Sequence, residues 1–208
     1  MLAACSLGGA GHLNPLLAFL AAAERRGGQA LVVGPPALRE MVELAGYPFR
    51  AGGEPDAEEV ARIREKLPVV SRAEASVLAN RELFGRLATR AMLPAMEHIC
   101  SEWQPDLILR ETCEYASAIV GPRLGIRTAQ VAISLAEVEA ASITTAAPAL
   151  EAIQKGLVSE LWSSTYLSHF PASLDSSPFP STIRLRVPGV GSGEPLPDWW
   201  NGSDDPLI

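Results

Sequence analysis

The sequence has few cysteines, little positive charge and no long apolar run, and each of these absences excludes a class of protein. Its three cysteines, Cys5, Cys100 and Cys113, form no C-x-x-C pair and have no paired histidine, which argues against a disulfide scaffold or a zinc site. The formal net charge of −7 lacks the basic balance of a nucleic-acid-binding protein. No apolar run approaches the roughly 20 residues that span a bilayer, and residues 2–7 are too few for a signal peptide. We therefore expect a cytoplasmic protein that binds neither nucleic acid nor membrane.

Common nucleotide-binding and hydrolase motifs are also missing. The stretch Gly9-x-Gly11-x-x-Asn14 begins like a dinucleotide fingerprint but lacks the third glycine. The second predicted strand ends at Val33-Gly34 without the acid that would bind a ribose. There is no Gly-Lys-Ser/Thr of a P-loop and no G-x-S-x-G nucleophile elbow. A nucleotide-dependent oxidoreductase stays open as a hypothesis, which fails if NAD(P) does not stabilise the chain in a melting assay.

What the sequence does contain is a clear strand, loop and helix at its start. Residues 2–7 predict a buried strand, and residues 16–26 predict a helix with Pro15 in its first turn. The glycine loop at residues 8–11 would let a ligand approach the backbone closely. His12 is predicted in this loop beside the positive helix end, which lowers the proton affinity of an imidazole and favours the neutral form of a general base.

A second unit of this kind lies in the middle of the chain. Residues 106–110 predict a strand, residues 115–124 a helix and residues 128–133 the next strand, which is the spacing of a βαβ crossover in a parallel sheet. Residues 73–102 predict a long helix that Pro94 should bend or split. The other predicted elements are strands at 30–33, 49–51 and 183–187 and helices at 36–45, 56–66 and 151–167.

These elements together predict an α/β fold with an open, parallel, Rossmann-like sheet and helices on both faces. Residues 1–188 are assigned to this domain, and residues 189–208, which are rich in Gly, Pro and acids, to a linker. Within the linker, Trp199 and Trp200 could anchor the tail to the domain or to a partner, or could simply lie on the surface.

Ligands in open α/β sheets bind at the carboxyl ends of the strands, and two polar groups are predicted there. If the strands before His12 and before Glu111 are neighbours, Glu111 or Glu114 could hold one ring nitrogen of His12 and stabilise its imidazolium. The alternative is that His12 only caps the helix or packs in the loop. His169 could line a pocket or pack, and the sequence does not decide between the two.

Two motifs resemble one known family. The stretch from Ser6 to Leu16, with its Gly-His-x-x-Pro loop, resembles the opening of GT-B glycosyltransferases of the UDP-glucuronosyl/UDP-glucosyltransferase-like family. Residues 103–116 resemble the W-x-P-D-L strand and following turn of that family, and residues 125–127 and 197–200 fit it as well. The resemblance covers essentially the whole chain and is strongest to actinobacterial enzymes that glycosylate natural products.

The resemblance implies two Rossmann-like domains that face each other across a cleft, with the acceptor on the N-terminal domain and a nucleotide-sugar donor on the C-terminal one. The chain ends at Ile208, where family members would enter the second domain. We therefore expect it to be one half of a GT-B fold, namely the acceptor half. The donor would bind mainly the absent domain, and this chain alone is expected to be inactive. An isolated small-molecule binding module is the alternative function.

Residue by residue, the resemblance implies that His12 removes a proton from an acceptor hydroxyl, which attacks the donor's anomeric carbon with inversion. Glu111 takes the place of the usual acidic partner, an Asp, and Glu114 is the alternative. The implied acceptor is a hydrophobic small molecule between residues 56–100 and 135–170, and no metal or cofactor is needed. A homodimer is a further expectation. The residues expected to contact substrate are Gly9, Gly11, Asn14, Ser134 and His169.

Overall fold

Short apolar runs form the strands of one sheet in the computed structural model, which describes residues 1–186. The strands are β1 Leu2–Ala4, β2 Leu31–Gly34, β3 Phe49–Ala51, β4 Leu107–Glu111, β5 Arg127–Val131, β6 Thr165–Ser168 and β7 Thr182–Arg184. Within the described residues they are ordered β3-β2-β1-β4-β5-β6-β7, and every neighbouring pair is parallel. The predicted parallel α/β sheet is therefore confirmed, and β1 lies directly beside β4.

Helices cover both faces of this sheet. They are α1 Ala10–Glu24, a 3₁₀ turn Pro36–Leu38, α2 Arg39–Leu44, α3 Ala57–Lys66, α4 Arg72–Ser76, a π-helix Val77–Ala88, α5 Thr89–Trp103, α6 Ala116–Arg123, α7 Ala136–Ile153 and α8 Leu157–Ser163. On one face, α1 and α2 pack on alternate residues of the strands, such as Ala3, Leu109 and Val131. On the other face, α5 and α6 pack on the residues between them, such as Ala4 and Ile108. This alternation follows from the two-residue period of a strand, and it confirms the predicted two-sided arrangement.

The long helix predicted over residues 73–102 is divided differently from the prediction. Pro94 lies inside α5 and does not split it. The irregular part is the π-helix Val77–Ala88, a winding that is rare and is often found at functional sites. Its Gly85 comes so close to α7 that an added Cβ would lie 3.2 Å from the Cβ of Ala146. The absence of a side chain at Gly85 thus permits this close packing.

The prediction of a single helix at residues 151–167 is wrong. Residues 136–153 already form α7, and Gly156, with a φ of 85°, separates it from the short α8. Residues 165–168 form β6 instead of a helix, because Tyr166 is fully buried and its strand pairs with β5 and β7. Sheet pairing overrides the local helix preference here.

The remaining predictions concern the end of the chain. The predicted boundary at residue 188, the linker at 189–208 and the pair Trp199-Trp200 all lie outside the described residues. Among the helices of residues 1–186, none has the length and apolarity to cross a membrane.

Candidate active site

His12 lies in the first turn of α1 and not in the loop before it, which corrects the prediction. The extended Gly9 is the N-cap, and its carbonyl accepts hydrogen bonds from the backbone N–H groups of His12 (3.1 Å) and Leu13 (3.2 Å). The helix therefore begins at Ala10, five residues before Pro15, which lies in the interior and donates no N–H to the preceding turn. The early start places the imidazole at the carboxyl end of β1.

Glu111 is the last residue of β4, and its carboxylate is fully buried. Because β1 pairs with β4, Glu111 lies beside Ser6, just after β1. One carboxylate oxygen accepts hydrogen bonds from the backbone N–H of Ser6 at 2.9 Å and from its hydroxyl. The other oxygen accepts the backbone N–H of Cys113 at 2.7 Å. Three donors from two strand ends thus hold the carboxylate in place.

The His12 ring meets this carboxylate. Nδ1 of His12 lies 3.2 Å from Oε1 of Glu111, with the imidazole 18% exposed and the carboxylate 0%. The N–H direction is not well aligned with the oxygen, so this is a close ion-pair contact and not a good hydrogen bond. Such contacts often tighten only when substrate binds. Nε2 of His12 has no hydrogen-bond partner among residues 1–186, and this nitrogen is not buried.

The two groups shift each other's pKa in opposite directions. Burial opposes protonation of His12, but the close polar contact with the Glu111 carboxylate and its charge outweigh burial and raise the His12 pKa. Burial also opposes ionisation of Glu111, but His12, Ser6 and the Cys113 backbone outweigh it and lower the Glu111 pKa. The expectation that the helix end lowers the proton affinity of His12 is therefore wrong in sign. A buried carboxylate at 3.2 Å has more influence than the helix terminus.

Glu114 does not reach His12. Its carboxylate accepts the backbone N–H groups of Ala116 (2.9 Å) and Ser117 (3.2 Å) and the Ser117 hydroxyl, so it caps the start of α6. Burial raises the pKa of Glu114 despite these bonds and the charge of Arg110. Of the two predicted acids, the structure brings only Glu111 to His12.

A buried arginine fixes the turn between these two acids. Arg110 donates hydrogen bonds to the backbone carbonyls of Thr112 (3.1 Å) and Glu114 (3.0 Å) and to the Gln130 side chain (2.6 Å). The main partners of Arg110 are thus carbonyl oxygens and not carboxylates. The signal available in the sequence was a single charge at the end of the apolar run 107–109.

The remaining predicted site residues lie at the same end of the sheet without a common contact. The backbone N–H of Ser134 donates to Glu139 at 2.8 Å. His169, after β6, contacts the carbonyl of Pro15 through Nε2 at 3.1 Å, and its ring lies 5.4 Å from that of Phe19. His169 is thus held against α1. Gly9, Gly11 and Asn14 occupy the N-terminal part of α1, where Gly11 and Asn14 are exposed.

Glu139 is a buried acid at this end of the sheet to which sequence reasoning gave no role. It lies in the first turn of α7, and its carboxylate accepts the backbone N–H groups of Ile133 (2.7 Å) and Ser134 (2.8 Å) and the hydroxyl of Tyr166 (2.5 Å). Burial raises the pKa of Glu139 to about 6, although these bonds oppose the shift. Glu139 therefore holds the loop between β5 and α7.

A cavity of about 490 Å³ lies next to the residues that hold Glu111, although neither His12 nor Glu111 itself lines it. Ser6, which bonds Glu111, forms part of its wall, and apolar side chains that include Leu7, Val60 and Leu83 form much of the rest. Arg64 lies at the same cavity. The predicted wall from residues 56–100 contributes to it, and the predicted wall from 135–170 does not. Within residues 1–186, no group of three or more His, Cys, Asp or Glu side chains is arranged to hold a metal.

Several solved glycosyltransferase structures are similar to this fold. SsfS6, a glycosyltransferase of Streptomyces sp. SF2575, is 22% identical with a TM-score of 0.66 over 99% of this chain and 59% of its own. The chain has the fold of the N-terminal half of GT-B glycosyltransferases. The GT-B enzyme SnogD of Streptomyces nogalater is 19% identical with a TM-score of 0.65, over 95% of this chain and 53% of its own.

A third similar GT-B structure is the spinosyn rhamnosyltransferase SpnG complexed with spinosyn aglycone. It is 15% identical with a TM-score of 0.64 and covers 95% of this chain and 52% of its own. SsfS6 has also been solved with thymidine diphosphate. The chain therefore spans about half the length of the GT-B enzymes it matches. No protein-family model and no curated protein matches the sequence.

Proposed function

We propose that this chain is the acceptor-binding half of an inverting glycosyltransferase, which moves a sugar from a nucleotide sugar to a hydroxyl of a hydrophobic small molecule. The observation that carries the proposal is the 3.2 Å contact between His12 and the buried Glu111 at the ends of two adjacent strands. The GT-B fold supports it, as do the aglycone and the thymidine diphosphate found in similar enzymes.

The pair has the geometry of a general base with an orienting carboxylate. The open Nε2 of His12 accepts the proton of the acceptor hydroxyl while Nδ1–H faces Glu111. The hydroxyl oxygen forms a bond to the anomeric carbon, and the bond from that carbon to the nucleoside diphosphate breaks on the opposite face. The proton remains on the imidazolium, which the Glu111 carboxylate stabilises. This direct displacement inverts the anomeric configuration and needs no metal at these residues.

The cavity beside the pair is the proposed acceptor site. Its volume of about 490 Å³ and its mainly apolar lining are typical of pockets for small organic ligands. Ser6 belongs both to its wall and to the hydrogen bonds of Glu111. A hydroxyl held against that part of the wall would therefore lie close to His12. The donor is proposed to bind mainly the second domain of a GT-B enzyme.

The direct test is a transfer assay with the complete gene product. Nucleotide sugars are incubated with hydroxylated polycyclic or macrocyclic acceptors, and the product is analysed by mass spectrometry and by NMR of the anomeric proton. We expect a glycoside whose anomeric configuration is opposite to that of the donor. A glycoside of retained configuration would contradict the mechanism, and acceptor binding without any transfer would favour an isolated binding module.

Gly9 and Gly11 offer a separate test of the acceptor site. Neither position has any atom within 4 Å of an added Cβ, so alanine fits at both without disturbing the fold. In a helix, Gly11→Ala should even stabilise the chain by about 1 kcal/mol. If the space above these glycines is filled by the acceptor, both variants should weaken acceptor binding about tenfold, an energy of ~1.4 kcal/mol.

Calorimetric titration with the acceptor and thermal melting measure the two effects separately. We expect Gly9→Ala to keep the melting temperature and Gly11→Ala to raise it by a few degrees, while both variants lose affinity. Unchanged affinity in both variants would place the acceptor away from this part of α1.

A further inference from the structure

The π-helix Val77–Ala88 places an aromatic ring against the candidate base. The ring centroid of Phe84 lies 6.0 Å from that of His12, with an angle of 39° between the ring planes. Leu83, the preceding residue, lines the cavity beside the His12–Glu111 pair. One element therefore contacts both the imidazole and the proposed acceptor site.

Contacts on two sides fix the position of this π-helix. On one side, Arg86 forms an ion pair with Glu59 of α3 at 2.9 Å. On the other side, Arg81 donates a hydrogen bond to the backbone carbonyl of Thr145 in α7 at 3.1 Å. The hydroxyl of Thr89 donates to the carbonyl of Phe84 itself at 2.8 Å. The backbone that carries Phe84 is thus held independently of any contact with His12.

Polar contacts alone do not fix the orientation of the His12 ring. Its one close polar contact within the described residues is the 3.2 Å approach of Nδ1 to Glu111, and that contact is poorly aligned. Two side-chain torsions set the direction of an imidazole, and a single imperfect contact at one ring atom leaves the ring free to tilt. Packing against a rigidly held ring removes that freedom.

We infer that Phe84 is a positioning residue that holds the His12 ring with Nδ1 at Glu111 and Nε2 free to accept a proton. Phe84 acts through His12 and takes no part in proton transfer. The same π-helix carries Leu83 on the cavity wall. An acceptor that contacts this wall therefore also contacts the element that orients His12. The catalytic consequence rests on the proposed function, whereas the ring orientation does not.

The orientation can be tested on the 208-residue chain by NMR of ¹⁵N-labelled histidine, since the chain has only three histidines. His98→Gln and His169→Gln assign the signals. Phe84→Leu removes the ring and keeps an apolar side chain, and Phe84→Tyr keeps the ring. Phe19→Leu is the matched control, because Phe19 packs on His169 and not on His12.

We expect neutral His12 to be a single Nδ1–H tautomer in the chain and in Phe84→Tyr, and a mixture of tautomers in Phe84→Leu. Phe19→Leu should leave the His12 signals unchanged. A His12 tautomer that is the same with and without the Phe84 ring would overturn the inference, whatever the activity of the protein.

In the complete gene product, Phe84→Leu should lower kcat about 10- to 100-fold, the size expected for a misplaced reacting group. The KM for the nucleotide sugar should stay unchanged, and Phe84→Tyr should restore kcat. A raised acceptor KM with normal kcat would make Phe84 a simple acceptor contact and would contradict the positioning role. Phe84→Leu could change the His12 tautomer while substitutions of His12 and Glu111 leave sugar transfer unaffected. In that case the inferred ring orientation stands and the proposed function fails.

Discussion

Replacing His12 by alanine is expected to lower kcat for sugar transfer by about 10²- to 10⁴-fold, the range over which general base catalysis contributes. The physical reason is the loss of Nε2, the nitrogen that has no hydrogen-bond partner within residues 1–186 and would accept the hydroxyl proton. The His12 side chain is only 18% exposed and pairs with the buried Glu111 carboxylate, so its loss should also lower the melting temperature, and the assay temperature is kept below that of unfolding. Steady-state kinetics give kcat, and calorimetry gives acceptor affinity, which should be nearly unchanged.

His98→Ala is the matched control for this variant. His98 also lies on a helix, but its side chain is 79% exposed and its neighbour is Glu102 at 3.9 Å. We expect His98→Ala to have normal turnover. Normal turnover in His12→Ala would show that another group removes the proton.

Replacing Glu111 by glutamine is expected to have the second largest effect. The amide keeps the shape of the side chain and can still accept a hydrogen bond from Ser6 or Cys113, but it carries no charge. Loss of the opposite charge at this distance should lower the His12 pKa. Because His12 acts as a base only when it is neutral, the acid limb of the pH–activity profile should move to lower pH. At the pH optimum, kcat should still fall by about 10²-fold or more, since the imidazolium loses its partner.

The pH dependence of kcat measures this shift, and Glu114→Gln is the control in the same turn. Glu114 caps α6 and does not contact His12, so its replacement should lower the melting temperature and leave the acid limb in place. An acid limb that responds equally to both variants would mean that Glu111 has no specific link to the base.

The choice between Glu111 and Glu114 shows what the sequence could predict. Both acids follow the same apolar run, and the sequence correctly places both at a strand end. The predicted strand at 106–110 is shifted by one residue, because β4 runs from Leu107 to Glu111. Side chains alternate along a strand, so Glu111 lies on the same face as Leu109, toward α1, while Arg110 points to the other face. Only the exact end of the strand decides which acid meets His12.

The neighbouring positions of β1 and β4 also decide the site. The sequence correctly predicts two units that each consist of a strand, a loop and a helix, because apolar runs, glycines and helix formers are local signals. Whether the two strands pair is a long-range property, and nine elements, from α1 to α5, separate them in the chain. The direction of the His12 pKa shift depends on the 3.2 Å distance that results from this pairing. The helix terminus alone therefore predicts the wrong direction for the His12 pKa shift.

Other features had no local signal. Tyr166 lies in a stretch that resembles a helix, yet it is buried in β6 between two parallel strands. The π-helix places Phe84 against His12 over 70 residues away in sequence, which no pattern in residues 77–88 indicates. Both features are set by packing against α7 and the sheet and not by propensity.

The most direct test of the His12–Glu111 pair is the pKa of His12 in the 208-residue chain. NMR titration of the histidine ring signals measures it for the wild type and for Glu111→Gln, without donor, acceptor or turnover. We expect a wild-type pKa above the ordinary value of about 6.5 and a clear decrease in Glu111→Gln. A pKa at or below the ordinary value that is the same in both proteins would contradict the pair.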